Sequence, residues 1–312
     1  MVIIRKILFP TDFSECANQA LCHATYLAQK FESELIMLHT IVMYEDDPQN
    51  PDHRFPDLLE CYESMEEVAE TRMETSVDEE MKNKLHISKI NVRGISPSAK
   101  IIEFAEENEI DLITMGTHGR TAVSHFLLGS VAERVVRSAP CPVLTIGPEH
   151  GSETKSMVYK KILVPIDFSE PCKNAVRYAF TLGKLYDAHL DLLHVVEGWI
   201  HPAFYTTWDK SILDFMPDIQ SKTNSAIDEF IADLNPEGLS VEKHVDEGRP
   251  HSLIVDFAEE RSTDLIVIAT RGLGAIDHLL LGSTAEKVVR RAPCPVLSVK
   301  RPEHEFITNE NV

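Results

Sequence analysis

A glycine-spaced segment is the part of this sequence best suited to chemistry. It reads Gly116-Thr-His-Gly119, then nine residues, then Gly129-Ser130, which is a G-x2-G-x9-G-S spacing. Glycine has no Cβ, so it tolerates positive φ and lets backbone N–H groups approach an anion closely. The last two residues also open a predicted helix, VAERVV, whose first N–H groups and positive dipole end favour phosphate. The segment therefore predicts a phosphate-binding loop.

Two aspartates follow short apolar runs that predict strands. Asp12 comes after KILFP, and Asp167 comes after KILVP. At the carboxyl edge of a parallel sheet, an acid in this position can accept hydrogen bonds from ribose hydroxyls. It can equally fill a turn or a helix-capping role. The sequence leaves both interpretations of each aspartate open.

Two other nucleotide-binding motifs are absent from the sequence. No GxxxxGK[ST] segment is present, which excludes the P-loop arrangement of lysine and Mg²⁺. Gly272-Leu-Gly274 is not a complete GxGxxG, because Asp277 stands in the third glycine's place. The dinucleotide fingerprint is therefore not met.

Three histidines lie near the same predicted edge. His39 and His194 end equivalent predicted strands, and we interpret them as packed side chains beside a ligand rather than as catalytic bases. His118 lies inside the glycine loop, where it is a better candidate for acid–base work or phosphate donation. Its counterpart in a second copy of the loop is Arg271, which favours a role of charge over one of proton transfer.

The cysteines predict neither a metal centre nor a thiol nucleophile. Cys141 and Cys294 stand in matching APCPVL segments, where we expect small buried apolar side chains. Neither Cys22-His23 nor Asp52-His53 has two further ligands at a recognisable spacing, so no metal site is predicted. The six cysteines are scattered without a CxxC pair, which indicates a reduced, cytoplasmic chain.

The sequence repeats itself. KILFPTDFSE at Lys6 and KILVPIDFSE at Lys161 share eight of ten residues at an offset of 155. FLLGSVAERVVRSAPCPVLTI at Phe126 matches LLLGSTAEKVVRRAPCPVLSV at Leu279 at an offset of 153. We therefore predict two domains, residues 1–147 and 159–301, with a polar linker at 148–158 and a polar tail at 302–312.

Within each half, apolar runs alternate with helical patterns, which is typical of a parallel sheet covered by helices. The first half predicts strands at 7–10, 35–42, 111–116 and 142–146, with a fifth near 85–92. Apolar residues from Ala17 to Phe31 recur at helical spacing, and Ser14 and Ser169 stand at N-cap positions, with Pro171 in the following first turn. Further helices are predicted at 98–108 and 131–138.

The region from Met43 to about Glu80 and its counterpart, 201–233, depart from this alternation. We interpret them as solvated loops and surface helices. The alternative is a partner-docking surface, which the aromatic side chains of the second copy favour: Trp199, Phe204 and Trp208.

Charge and hydropathy exclude two classes of partner. The formal net charge is −20, which repels a nucleic-acid backbone or an anionic lipid surface. No apolar run approaches the roughly 20 residues that span a bilayer, and the first residues do not resemble a signal peptide. We expect a soluble protein without a nucleic-acid or membrane partner.

Four segments together resemble the universal stress proteins: KILFPTDFSE, LLHVV in the second copy, GTHG-x9-GS and the closing APCPVL. The resemblance covers nearly all of both halves. It implies an α/β fold of two tandem, open, five-stranded parallel sheets with helices on both faces. This fold is Rossmann-like and similar to that of the adenine-nucleotide alpha hydrolases. It also implies bound ATP, or AMP or ADP, with Mg²⁺ as a further candidate.

The resemblance assigns site residues by position. In the first half Asp12 would bind ribose, the backbone around Thr40 would meet adenine, and five residues would hold the phosphates: Gly116, Gly119, Gly129, Ser130 and Val131. The second half offers Asp167, Val195, Gly272, Gly282, Ser283 and Thr284 in those roles. Ala269 replaces the first loop glycine there, which puts the occupancy of the second site in question.

Three classes of function fit these residues. The first, which we favour, is a nucleotide-dependent stress-response module that works through conformation or partner exchange. The second is a slow ATPase or nucleotidyl transferase, in which Asp12 would help to orient Mg²⁺. The third is an interaction protein that holds no nucleotide. The resemblance also implies that the two copies pair as an intramolecular pseudo-dimer, and whole chains can pair further as a homodimer.

Overall fold

A computed structural model describes residues 2–43, 59–119, 128–147, 157–197, 218–270 and 281–300. The chain divides into two compact units, one of residues 3–153 and one of residues 154–312 with the first two residues. These units are the first copy of the repeat, called the first half, and the second copy, called the second half.

The first half is built on a parallel sheet. Its strands are β1 (Lys6–Pro10), β2 (Glu34–Val42), β3 (Ile87–Gly94), β4 (Leu112–Gly116) and β5 (Val143–Ile146). They lie in the order β3-β2-β1-β4-β5, and all four neighbouring pairs are parallel. The five predicted strands are confirmed to within two residues at each end.

The helices of the first half connect these strands. They are α1 (Glu15–Phe31), α2 (Leu59–Thr75), α3 (Glu79–Lys84), α4 (Pro97–Glu107) and α5 (Ser130–Ser138). The chain moves outward from β1 to β3 and then returns to β4 on the other side of β1. Because such crossovers are right-handed, the reversal places helices on both faces of the sheet. The predicted open α/β fold is confirmed.

The second half repeats this architecture. Its strands are β6 (Lys161–Pro165), β7 (His189–Val196), β8 (Ser240–Glu247), β9 (Leu265–Ala269) and β10 (Val296–Val299), in the order β8-β7-β6-β9-β10. Its helices are α6 (Glu170–Tyr186), α7 (Asp218–Ile231), α8 (Pro250–Glu260) and α9 (Ser283–Arg291), with a 3₁₀ turn at Ala232–Leu234.

The predicted caps set the bounds of the first helix in each half. The Ser14 hydroxyl accepts the Ala17 N–H at 3.2 Å, and the Ser169 hydroxyl accepts the Cys172 N–H at 3.2 Å. Both helices end on a residue in the left-handed region, Glu32 with φ 54° and Asp187 with φ 49°. Most of the apolar stripe predicted for α1 is buried, and only its last residue, Phe31, is half-buried; the buried residues are Ala17, Ala20, Leu21, Ala24, Leu27 and Ala28.

The central strands form the core of each half. In the first half, β1, β2 and β4 supply the largest fully buried side chains, which are Ile7, Leu8, Phe9, Leu35, Met37, Leu38 and Ile113. Strands buried on both faces read as continuous apolar runs, which explains why these strands were predictable.

The acidic region between β2 and β3 forms surface helices where the structure describes it. Helix α2 buries only Ala69 and Met73, and no side chain of α3 is buried. The interpretation as a solvated face is confirmed for these helices. Trp199, Phe204 and Trp208, which favoured a docking surface, lie outside the described residues. No helix in the described part of the chain combines the length and apolar character that crossing a bilayer requires.

Candidate functional site

The candidate site lies where the direction of strand order reverses. Strands β1 and β4 are neighbours, but the chain leaves their carboxyl ends toward opposite sides of the sheet. Such a switch point opens a crevice, and ligands of doubly wound sheets bind there. The segment after β1 carries Asp12, and the segment after β4 carries Gly116 to Gly119. The same switch point occurs between β6 and β9 in the second half.

Asp12 has a turn role through one of its two carboxylate oxygens. Its Oδ1 accepts the Ser14 N–H at 3.0 Å, as in an Asx turn. Its Oδ2 faces the glycine loop, since a Cβ on Gly119 would lie 2.7 Å from that oxygen. The turn role and the ribose-binding role that the sequence left open for Asp12 are therefore compatible, because each would use a different oxygen of the carboxylate.

Asp167 repeats this turn in the second half. Its Oδ1 accepts the Ser169 N–H at 3.0 Å and the Ser169 hydroxyl at 2.7 Å. The residue after each aspartate has a positive φ of 61°, Phe13 in one half and Phe168 in the other. A bulky residue in this conformation is strained, and such strain concentrates at binding sites. Both halves keep the same strained turn after the first strand.

The two strand-end histidines are packed, as predicted. His39 Nδ1 donates to the Thr11 carbonyl at 2.7 Å, and its ring packs on Phe13 with centroids 4.7 Å apart. His194 Nδ1 donates to the Ile166 carbonyl at 2.7 Å, and its ring packs on Phe168 at 4.9 Å. Each imidazole supports the strained phenylalanine beside the aspartate. His118 lies next to Thr117, whose hydroxyl is 2.7 Å from His118 Nδ1.

A backbone hydrogen bond closes the glycine loop in both halves. The Gly129 N–H donates to the Thr117 carbonyl at 2.8 Å, and the Gly282 N–H donates to the Thr270 carbonyl at 2.8 Å. Both threonines are buried and are themselves held by the last strand, where Thr117 N–H donates to the Ile146 carbonyl at 2.9 Å. The start of the following helix is thereby fixed at the edge of the sheet.

The loop glycines are needed for close approach rather than for positive φ. None of Gly116, Gly119 and Gly129 has a φ in the left-handed region, so the loop does not use the positive φ that glycine tolerates. A Cβ on Gly129 would instead lie 2.8 Å from the Thr117 carbonyl oxygen, in the path of the closing hydrogen bond. Steric fit at three different contacts explains the spacing.

The surroundings of Gly116 bear on whether the second half, which has Ala269 at the equivalent position, can also bind a ligand. A Cβ on Gly116 would lie 2.9 Å from Cys16 Sγ and 3.0 Å from the Cys16 carbonyl carbon, so this glycine accommodates helix α1. At the offset of 155, Pro171 takes the place of Cys16 in the second half, so the helix presents a different side chain there. The change to alanine therefore concerns the contact between helix and strand, and it does not by itself argue against a second site.

Helices α5 and α9 begin without a side-chain cap. Gly129 and Gly282 are their N-caps, with φ −62° in both, and no side chain of the described residues caps either helix. The first-turn N–H groups are those of Ser130 and Val131 in α5 and those of Ser283 and Thr284 in α9. Uncapped N–H groups at a helix start bind anions.

The acids of these two helices are neutralised by partners. Glu133 lies in the first turn of α5 and pairs with Arg137 at 2.7 Å, and Glu286 of α9 pairs with Arg290 at 3.0 Å. An arginine beside each glutamate reduces the negative potential that the glutamate would impose on an anion at the helix start.

Thr40 and Val195 are half-buried and occupy equivalent positions of β2 and β7. Thr40 comes two residues after Leu38, whose carbonyl accepts the Thr11 N–H. Val195 likewise comes two residues after Leu193, whose carbonyl accepts the Ile166 N–H. Gly272 and Arg271 lie outside the described residues.

The cysteines have the buried character that we predicted for Cys141 and Cys294, each 4% exposed. Burial raises the pKa of the Cys294 thiol. Burial also raises the pKa of the Cys172 thiol, and the nearby Asp167 carboxylate adds to that increase. Thiols whose pKa is raised in this way hold little thiolate at neutral pH, so they are poor nucleophiles.

Comparison with known proteins shows the family. The model of the universal stress protein family matches residues 4–147 and again residues 158–300. The chain therefore belongs to the universal stress protein family and carries two copies of its domain in tandem.

Three similar proteins illustrate the arrangement. Universal stress protein MJ0577 of Methanocaldococcus jannaschii is 34% identical over 157 residues, which are 46% of this chain and 96% of that protein. Universal stress protein MJ0531 of the same organism is 32% identical over 148 residues, 47% of this chain and 86% of that protein. The crystal structure of a universal stress protein from Archaeoglobus fulgidus has a TM-score of 0.66 at 27% identity, over 95% of this chain and 98% of that chain.

Proposed function

We propose that each half of this protein binds one adenine nucleotide, ATP first among them, and that the protein acts as a nucleotide-dependent regulatory module in the stress response. The observation that carries the proposal is the convergence at each switch point of an aspartate and an uncapped helix start. The first offers an acceptor for ribose hydroxyls, and the second offers N–H donors for phosphates.

The phosphate part of the proposal rests on the closed loop. Because the Gly129 N–H is bound to the Thr117 carbonyl, the next N–H groups of α5 are held in position before a ligand arrives. A ligand then orders little of the protein on binding, which favours affinity. Gly282 and Thr270 make the same contact for α9, so the proposal extends to the second half.

The ribose part rests on the two oxygens of Asp12. Oδ1 belongs to the turn, and Oδ2 lies at the face of the loop where Gly119 comes close. A ribose bound there has its 2′ and 3′ hydroxyls near a carboxylate oxygen, and its phosphates extend toward α5. Hydrogen bonds to a charged acceptor are stronger than neutral ones.

Replacing Asp12 by asparagine tests this division of roles. The amide oxygen of asparagine can still accept the Ser14 N–H, so the turn is retained, but the second oxygen becomes an N–H₂ donor. We expect ATP affinity in the first half to fall about 10- to 100-fold, since one charged hydrogen bond is worth about 1.5–3 kcal/mol. Isothermal titration calorimetry with ATP measures this loss.

Inorganic tripolyphosphate is the matched ligand for this experiment, because it carries phosphates but no ribose. Its affinity should be the same for the wild type and Asp12→Asn. An equal loss of tripolyphosphate and ATP affinity would contradict the assignment of Asp12 to ribose. Asp167→Asn provides the same comparison in the second half.

A further inference from the structure

Four side chains at the opposite end of the second sheet form a cluster that the nucleotide site does not use. Strands β7 and β8 are parallel, with Asp191 in register with Glu242. Since alternate residues of a strand share a face, His189 and Asp191 lie on the same face of the sheet as Glu242 and His244. Asp191 precedes Val195 by four residues, which is about 13 Å along the strand. The cluster is therefore remote from the carboxyl edge.

The distances within this cluster match those between the ligands of a tetrahedral metal ion. His189 Nε2 is 3.5 Å from Asp191 Oδ1 and 3.6 Å from Glu242 Oε2. Ligand atoms of these three residues all lie within 4.8 Å of one another. Ligands bound tetrahedrally at zinc distances of 2.0–2.2 Å are about 3.4 Å apart. A small ion can therefore contact all three residues with minor side-chain movement.

Neighbouring groups hold these ligands in orientation. His189 Nδ1 is 2.8 Å from the Ser240 hydroxyl, which leaves Nε2 facing the carboxylates. His244 Nε2 donates to Asp191 Oδ1 at 2.7 Å, and its ring packs on Phe257 at 4.8 Å. Metal-binding imidazoles and carboxylates typically have such outer partners.

The internal repeat shows that the fold does not require a charge here. Asp191 is 2% exposed, and an ionised carboxylate is costly to bury. In the first half the equivalent residue of β2 is Ile36, and the residue of β3 matching His244 is Ile90. The same sheet thus forms with apolar side chains at both positions. Because the fold does not need Asp191 and His244 at these positions, we look for a functional reason for the buried acid and the histidine.

We infer that His189, Asp191 and Glu242 bind a divalent transition-metal ion of the zinc class, with His244 orienting Asp191 and a water completing the tetrahedron. Imidazole with carboxylates suits zinc better than calcium or magnesium, which prefer oxygen ligands alone. Two carboxylates also balance the charge of the ion.

Arg261 forms an ion pair with Glu242, and a metal ion can displace it. Its Nη1 is 3.5 Å from Glu242 Oε2, and its side chain is 45% exposed. An exposed ion pair is worth at most about 1 kcal/mol, far less than zinc coordination. The guanidinium can turn to solvent when the metal binds.

Zinc titration of the full chain tests this inference. The protein is stripped with a chelator, dialysed and titrated with Zn²⁺ against a chromogenic indicator. We expect one site per chain, weakened about a hundredfold in His189→Gln and in Glu242→Gln, since losing even an outer partner costs about 10–100-fold. Both residues lie toward solvent, so these variants should fold. Cobalt substitution should give the visible absorption of a tetrahedral site in the wild type alone.

Two controls keep the result interpretable. His86→Gln removes a 78% exposed histidine that lies 3.7 Å from Glu34, near the corresponding edge of the first half, and should leave zinc affinity unchanged. The double variant Asp191→Ile with His244→Ile copies the first half, so it should fold and lose the site. No zinc site in the wild type, or equal affinity in the wild type and His189→Gln, would overturn the inference.

Discussion

Replacing Ser130 by aspartate is expected to abolish most ATP binding in the first half, with a loss of affinity of about a hundredfold or more. The new carboxylate would stand at the first residue of α5, beside the N–H groups proposed to hold phosphate. Two unit charges 4 Å apart repel by about 4 kcal/mol at the effective dielectric of a protein surface, and a triphosphate carries several charges. ATP titration calorimetry measures the loss.

The duplication supplies the matched control for this variant. Ser283→Asp makes the same change at α9, so each variant should lose its own site and keep the other. An acid at the start of a helix stabilises the helix, and both serines are exposed, so neither variant should melt at a lower temperature than the wild type. Full ATP binding at both sites in the double variant would show that the phosphates lie elsewhere.

Replacing Asp111 by alanine is expected to cause a large loss of stability, about 3–5 kcal/mol, because two hydrogen bonds to one charged acceptor disappear. Asp111 is 6% exposed, and its Oδ2 accepts the N–H groups of Arg5 at 2.7 Å and Lys6 at 2.9 Å. It therefore ties the start of β1 to the start of β4. Urea unfolding followed by circular dichroism measures the change in the free energy of unfolding.

Asparagine at the same position should recover part of that loss, since its amide oxygen still accepts a backbone N–H. Asp264 makes the equivalent contacts with the N–H groups of Lys160 at 2.8 Å and Lys161 at 2.9 Å, so Asp264→Ala should destabilise in the same way. Asp256→Ala, at an exposed position of α8, should change stability by less than about 0.5 kcal/mol. Equal effects of Asp111→Ala and Asp256→Ala would contradict this account of the two strand starts.

The fold could be predicted because its determinants are local or repeated. Strands such as β1 and β4 are buried on both faces and read as short apolar runs, and α1 carries its cap and its buried stripe in one continuous segment. The duplication then confirmed each element twice within one sequence. The placement of Asp12 and Gly119 on one edge followed from the parallel order of the strands.

The steric contacts that require glycine in the loop could not be predicted, because they depend on distances between residues far apart in the sequence. Gly116 lies against Cys16, one hundred positions away in the chain, and only the packing of α1 on β4 brings the two together. The sequence pattern indicated close approach to an anion, whereas the structure shows close approach between parts of the protein itself. The contact of Gly116 with Cys16 also offers a packing reason for the change to Ala269, which the sequence could not supply.

The proposed metal ligands were missed for a related reason. His189 and Asp191 are separated from Glu242 by about fifty residues, whereas a sequence indicates metal ligands by short, recognisable spacings. The alternation His-x-Asp on β7 and Glu-x-His on β8 becomes a cluster only when the register between the strands is known. A comparison of the two halves offered one signal, since Asp191 replaces an isoleucine of the first copy.

The number of adenine nucleotides bound per chain tests the central claim most directly. The purified protein is saturated with ATP, freed of excess ligand and denatured, and the released nucleotide is counted by ion-exchange chromatography against protein concentration. Two nucleotides per chain is the predicted result, with one remaining in Ser130→Asp. No released nucleotide, together with no heat on ATP titration, would contradict the claim and leave an interaction protein that holds no nucleotide.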